Sequence, residues 1–250
     1  MDPRQWAYQN KHVLGPISLD NLEPGDVQTI MKEMEAHQMG LRTVYRDCIY
    51  HRKRFVVTTA LNVTSPTTFF TIQRGSQDTV ANAPGTSYTT QDIDTNMLQP
   101  GQLSKGQTFI VQSVQLELIL TGATDTTVTS GDTLDPTAAA AVSATNLARA
   151  IRYAGCFYLT IGERQYERGL IADFPQGPYG NIGFAGGGAA TNFESLVQNG
   201  LGRERRCEPY HVIDAGRQFQ ADLFWRNAFV PTRSFSIVAR LDGIRFTSVQ

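Results

Sequence analysis

Charge is scarce in this chain and almost evenly split. Only 18% of its 250 residues are charged, 22 Lys and Arg against 23 Asp and Glu. A protein so close to neutral has no bulk electrostatic basis for binding nucleic acid or a membrane surface. Cysteine is scarce too: Cys48, Cys156 and Cys207, with no C-x-x-C. An odd count at wide spacing excludes a disulfide framework and predicts buried free thiols. No apolar run approaches the roughly 20 residues that span a bilayer. No basic start leads into an apolar stretch, so no secretory leader is expected, and folding in a reducing cytoplasm is.

The motifs of chemistry are missing as well. Among His12, His37, His51 and His211, no two are separated by a single residue, the spacing a metal-binding cupin strand needs. Cys207 with His211, four apart, and Cys48 with His51, three apart, each offer half a zinc site, whereas a structural site needs four ligands. No G-x-S-x-G elbow occurs. The glycine-rich run 177–192 neither opens a βαβ helix nor leads into Lys-Ser/Thr, so it reads as adaptable backbone rather than a phosphate cradle. Glu163, Glu167 and Asp173 surround an expected hairpin and could line a cleft, but read more simply as solvated carboxylates. No enzyme activity, cofactor or metal is expected.

What the sequence does hold is strand pattern. Residues 1–23 read as an extended arm broken by Pro3, Gly15 and Pro16. Asp26 then reads as the N-cap of a short helix, with Val27, Ile30, Met31, Met34 and Leu41 along one apolar face and Gly40 as its stop. That face must dock on the chain's own sandwich, on a neighbour or on lipid, since so short a helix is marginal alone. Its methionines suit an adaptable contact, and the arm is expected to serve assembly.

From Arg42 onward β-branched and aromatic residues dominate. "RFVVTTALNV" and "TTFFTIQ" read as strands, and the polar stretch from Arg74 to Lys105 as a long surface loop. "QTFIVQSVQLELILTG" alternates from Phe109 and Val111, then restarts one residue out of phase at Val114, Leu116, Leu118 and Leu120, a slip that a β-bulge or a sheet-crossing bend must absorb. The first half of the insertion from Ala123 reads as a Thr/Asp/Gly loop, an alanine-rich helix follows from Asp135 to about Tyr153, and Gly155 closes it. Two strands flank Gly162-Glu163-Arg164. A capping box from Thr191 to Glu194 predicts a short helix ending at Gly200. "PYHVID", "RQFQADLFWRN" and the final "RSFSIVARLDGIRFTSVQ" supply the last strands. In that final run Phe235, Ile237, Leu241, Ile244 and Phe246 are expected to be buried, split between two faces by a bulge at Asp242-Gly243; a hairpin turn at Asp242-Gly243, the commonest tight-turn pair, is the alternative. Two basic runs, "HRKR" (His51 to Arg54) and "GRERR" (Gly202 to Arg206), could touch phosphate, with Arg52, Lys53 and Arg54 as the candidate contacts. Salt bridges on a solvated face are the plainer reading.

The sum is an all-β chain: a jelly-roll β-sandwich of about eight strands with long loops, an N-terminal arm and a few short α-helices. Residues 1–41 form the arm and amphipathic helix, and residues 42–250 a single decorated domain. This pattern resembles the jelly-roll coat proteins of tailless icosahedral bacteriophages. The resemblance rests on the helix from Asp26 to Met39 ahead of the sandwich, the loops 74–105 and 123–138, the run "TNMLQPGQLSKGQTFIVQSVQLELIL" entering a core strand, and the terminal "SFSIVARLDGIRFTSVQ". It implies a structural protein of the virion capsid, made in the host cytoplasm, that self-assembles into a shell through capsomer contacts. Its implied partners are copies of itself, other capsid proteins, and an internal lipid membrane or packaged genome at the inner face. The competing expectation is a carbohydrate- or receptor-binding β-sandwich of a phage particle, with Trp225, Tyr179 and Trp6 stacking on sugars.

Overall fold

The structure is a computed structural model that describes residues 22–57, 59–61, 65–120, 150–175, 182–184, 195–197, 204–225, 230–231 and 234–249. It is mostly β. One helix, α1 (Pro24–Gln38), precedes β1 (Arg42–Phe55), β2 (Thr67–Phe69), β3 (Gln77–Val80), β4 (Ala83–Thr89), β5 (Gln107–Leu120), β6 (Gly155–Ile161), β7 (Arg164–Leu170), β8 (Ile182–Phe184), β9 (Ser195–Val197), β10 (Arg205–Asp214), β11 (Phe219–Trp225) and β12 (Phe235–Ser248). Eight of the strands make two four-stranded antiparallel sheets, ordered β1-β12-β5-β10 and β2-β11-β6-β7.

These eight strands behave as one long antiparallel ribbon. The first pairs with the last, β1 with β12; then β2 with β11, β5 with β10, and β6 with β7. The ribbon turns at Gly162, whose positive φ of 62° suits a tight hairpin. Successive pairs fall in alternate sheets, and β12–β5 and β11–β6 contacts close each sheet. Both sheets feed one apolar core. Phe55 of β1 stacks on Phe235 of β12 at 4.5 Å between centroids and meets Trp225 of the other sheet edge-on at 5.4 Å.

The phase slip in β5 is a bulge. Ser113 pairs with Asp242 and Val111 with Gly243, so Gln112 is the extra residue. It keeps Phe109, Val111, Val114, Leu116 and Leu118 buried despite the broken alternation. The terminal strand is a single interior strand, not a hairpin, and its pairing to β1 is unbroken from Arg42↔Ser248 to Phe55↔Phe235. Leu241 is therefore on one face and Ile244 and Phe246 on the other, yet all three are buried.

The helix explains this. Leu22 bridges to Tyr210 on edge strand β10, while β1, at the opposite edge, starts four residues after α1 ends. In between, Thr108 Oγ1 of β5 donates to Glu33 Oε1 at 3.3 Å. Thr108 pairs with Phe246, and Ile244 with Ile110, which pairs with Val212. Directly paired residues share a face, so α1 crosses the outer face of this sheet and covers that row. Ile30 and Met34 are 0% and 1% exposed there. The apolar face of the helix thus docks on the chain's own sheet.

Other expectations need correcting. The N-cap is Glu23, not Asp26; Pro24 takes the first turn, where its missing N–H costs nothing, and Asp26 lies in that turn. Leu41 is outside the helix and 59% exposed. The polar stretch 74–105 is not all loop: β3 and β4 form a hairpin with Asp78 and Val80 buried. Where the capping box predicts a helix, Ser195–Val197 is a strand paired with Ile182–Phe184; pairing overrode the local signal. Residues 150–154 are helical, the rest of the alanine-rich segment lying outside the described residues. The helix ends immediately before Gly155, as expected, and Gly155 opens β6, where a β-carbon would stand 2.4 Å from Ile171 Cδ1.

Candidate functional site

β1 is an edge strand of 14 residues, and so long an edge exposes a row of backbone groups to any passing strand. Most of it is covered by the chain itself. Asn96 Nδ2 donates to Cys48 O at 2.7 Å, and the Tyr50 N–H donates to Asn96 Oδ1 at 3.0 Å. The Arg52 N–H donates to Asp94 O, the Ala81 N–H to Arg54 O, and the Val56 N–H to Asn82 Oδ1. At the other end His37 Nδ1 donates to Arg42 O at 2.7 Å. The outward backbone groups are those of even-numbered residues, so the opening left is Val44 and Arg46, whose outward groups have no partner among the described residues. Exposed apolar side chains flank it: Met39, Leu41, Tyr45 and Val249, the last tied by its N–H to Leu41 O at 3.1 Å.

The expected basic run builds the cover rather than a phosphate patch. Strand alternation sends its residues to opposite faces. His51 and Lys53 point inward and are buried; Arg52 and Arg54 point outward. The Phe70 N–H donates to His51 Nδ1 at 2.6 Å, so Nε2 carries the ring proton and donates to Asp78 Oδ2 at 3.2 Å. Lys53 Nζ donates to Asp78 Oδ1 at 2.5 Å, and Tyr88 Oη to Oδ2 at 3.1 Å. Asp78 belongs to β3 and Tyr88 to β4, so this knot ties the hairpin to the edge strand. Burial pushes the His51 ring below its ordinary value and the Tyr88 phenol well up. Burial alone would raise the Asp78 carboxyl, but the His51 hydrogen bond and the Lys53 charge outweigh it and hold it below the carboxylate range. Arg54 pairs with Asp94 at 3.0 Å and lies 4.2 Å over the Tyr88 ring; Arg52 donates to Ser236 Oγ at 3.0 Å.

The other expected residues scatter. Val27, Ile30, Met31 and Met34 pack on the core. Cys48 and His51 sit on opposite faces of β1 and share nothing. Glu163 and Asp173 are exposed. Trp225 is 1% exposed in the core, which removes it from any sugar-stacking surface, and Tyr179 and Trp6 lie outside the described residues. Glu167, Cys207 and His211, by contrast, come together. Sequence spacing paired the last two; the carboxylate that joins them is visible only once β7 is packed against β10.

The chain matches no protein-family model, no curated protein and no solved structure, and its functional reading stands on this geometry.

Proposed function

We propose that this chain is a jelly-roll coat subunit of a tailless icosahedral bacteriophage, whose work is self-assembly into a shell. The observation that carries this reading is the strand order. Numbered along the chain, the eight strands of the two four-stranded sheets lie as 1-8-3-6 and 2-7-4-5. Rolling a four-pair antiparallel ribbon into two sheets generates this order, the paired Greek keys of a jelly roll. Jelly rolls also serve as cupins and lectins, so the fold alone does not choose among them. The sequence lacks the cupin histidine pair, and the tryptophan best placed for a lectin reading is in the core. The coat reading draws support from β1, a guarded edge that, among the described residues, is open at Val44 and Arg46, with the exposed apolar side chains Met39, Leu41 and Tyr45 close by in sequence and Val249 tied to Leu41. Such a short exposed edge with apolar flanks suits contact with a neighbouring copy.

Electron microscopy and light scattering of the purified chain, alone and with other virion proteins, test the proposal. Ordered shells or capsomer-sized oligomers are expected. A strictly monomeric species in every context refutes it.

A further inference from the structure

We propose that Glu167, Cys207 and His211 form a binding site for a divalent cation of the zinc class, pinning edge strand β7 of one sheet to edge strand β10 of the other. Their ligand atoms lie within 4.8 Å of one another, and all three residues are buried. A sulfur, an imidazole nitrogen and a carboxylate oxygen are a donor set that zinc accepts, with bonds of about 2.0–2.3 Å. Ligand atoms around such a tetrahedron stand roughly 3.3–3.8 Å apart, so a contraction of about 1 Å closes the site.

The backbone is shaped for this. Cys207 and His211 on a regular strand would lie about 13 Å apart along its axis. Here Arg206 pairs with Ser113 and His211 with Val111, so residues 207–210 leave the ladder opposite the single residue Gln112. That loop-out folds the thiol back toward the imidazole. Bulges of this kind re-aim side chains at functional positions.

The surroundings hold the donors in place. Arg205 Nε donates to Glu167 Oε2 at 2.9 Å, fixing the carboxylate while Oε1 faces His211 Nε2 at 3.1 Å. Outer groups of this type orient metal ligands. Tyr166 packs on the His211 ring at 4.5 Å. Glu167 Oε1 can only accept, so Nε2 carries the ring proton in the metal-free chain; His211 Nδ1 is buried with no hydrogen-bond partner among the described residues, so that proton can shift to Nδ1 and leave Nε2 bare for the cation. On binding, the Cys207 S–H bond breaks, its electron pair goes to the cation and its proton to solvent. Three protein donors leave one position for water, which can enter beside the part-exposed Arg205.

Titration of the whole chain with cobalt(II) tests this. One equivalent is expected to give the intense visible bands of tetrahedral cobalt and a sulfur-to-cobalt charge-transfer band in the near ultraviolet, both erased by zinc. Cys207→Ser is expected to abolish the charge-transfer band, and Glu167→Gln to weaken affinity at least about tenfold. Cys48→Ser and Cys156→Ser are expected to leave the spectrum unchanged. No charge-transfer band in the unaltered chain, or a band that survives Cys207→Ser in a chain folded by circular dichroism, overturns the proposal. The unaltered chain decides the matter even if a variant fails to fold, and the readout does not depend on shell assembly.

Discussion

Gly243 lies against the carbonyl oxygen of Ile110 so closely that a β-carbon built on it would stand 1.8 Å from that atom. The contact sits at the register slip where β5 inserts Gln112. Two central strands can approach this way only when one has no side chain. Gly243→Ala is therefore expected to lower stability by about 3 kcal/mol, the upper range for overpacking, or to prevent folding. Urea denaturation checks it. A midpoint within error of the parent would mean the strands can separate without cost.

Acid should loosen the edge cover. The folded-state value of His51 lies below its ordinary 6.5, so the unfolded chain binds that proton first. Its contribution to stability is complete above about pH 6.5 and is lost as pH falls through that value toward the folded one. Asp78 is also depressed, and its contribution is lost below its ordinary 3.8. Both act in the same direction. The unfolding free energy from urea denaturation is expected to decline from pH 7 to 5, by at most about 1.4 kcal/mol per pH unit for the one proton. His51→Asn should flatten that decline; an unchanged slope would remove His51 from it.

Lys53 should prove structural. Its charge is buried against Asp78, and removing one member of a buried pair leaves the other uncompensated. Lys53→Met is expected to cost about 3 kcal/mol, and Lys53→Met with Asp78→Asn to recover part of the loss. Equal stability of Lys53→Met and the parent would return Lys53 to the pool of cations available to phosphate.

Two methionines five residues apart should behave oppositely. Met34 is 1% exposed beneath α1, and Met39 is 68% exposed beyond its end. Met34→Ala is expected to cost about 2–5 kcal/mol, the range for large-to-small changes in a core. Met39→Ser together with Leu41→Ser and Tyr45→Ser should shift stability by only a few tenths of a kcal/mol per site. On the coat reading, that triple variant should lose particles while keeping its melting temperature, as seen by microscopy and calorimetry side by side. Normal particles would take this edge out of the assembly contacts.

Alternation along "SFSIVARLDGIRFTSVQ" was enough to read a long interior strand at the end of the chain, because a pattern of period two is a local property of residues facing one core. The same holds for the apolar stripe of α1, the β5 phase slip and the hairpin at Gly162. What alternation could not say is what covers each face. Ile244 and Phe246 look like a strand that has switched sides; they are the outer face of an unbroken strand, buried because α1 lies across it. The hairpin of β3 and β4 hides in polar sequence, since Asp78 and Tyr88 tie it to β1 and Val80 is the large apolar side chain it buries. Within the segment predicted as a helix, Ser195–Val197 pairs as a strand with Ile182–Phe184, the capping-box residues Thr191 to Glu194 lying outside the described residues. Glu167 meets Cys207 and His211 only because the ribbon rolls β7 onto β10. Spacing within one segment is written in the residues; contact between segments forty residues apart is settled by which sheets pack and in what register.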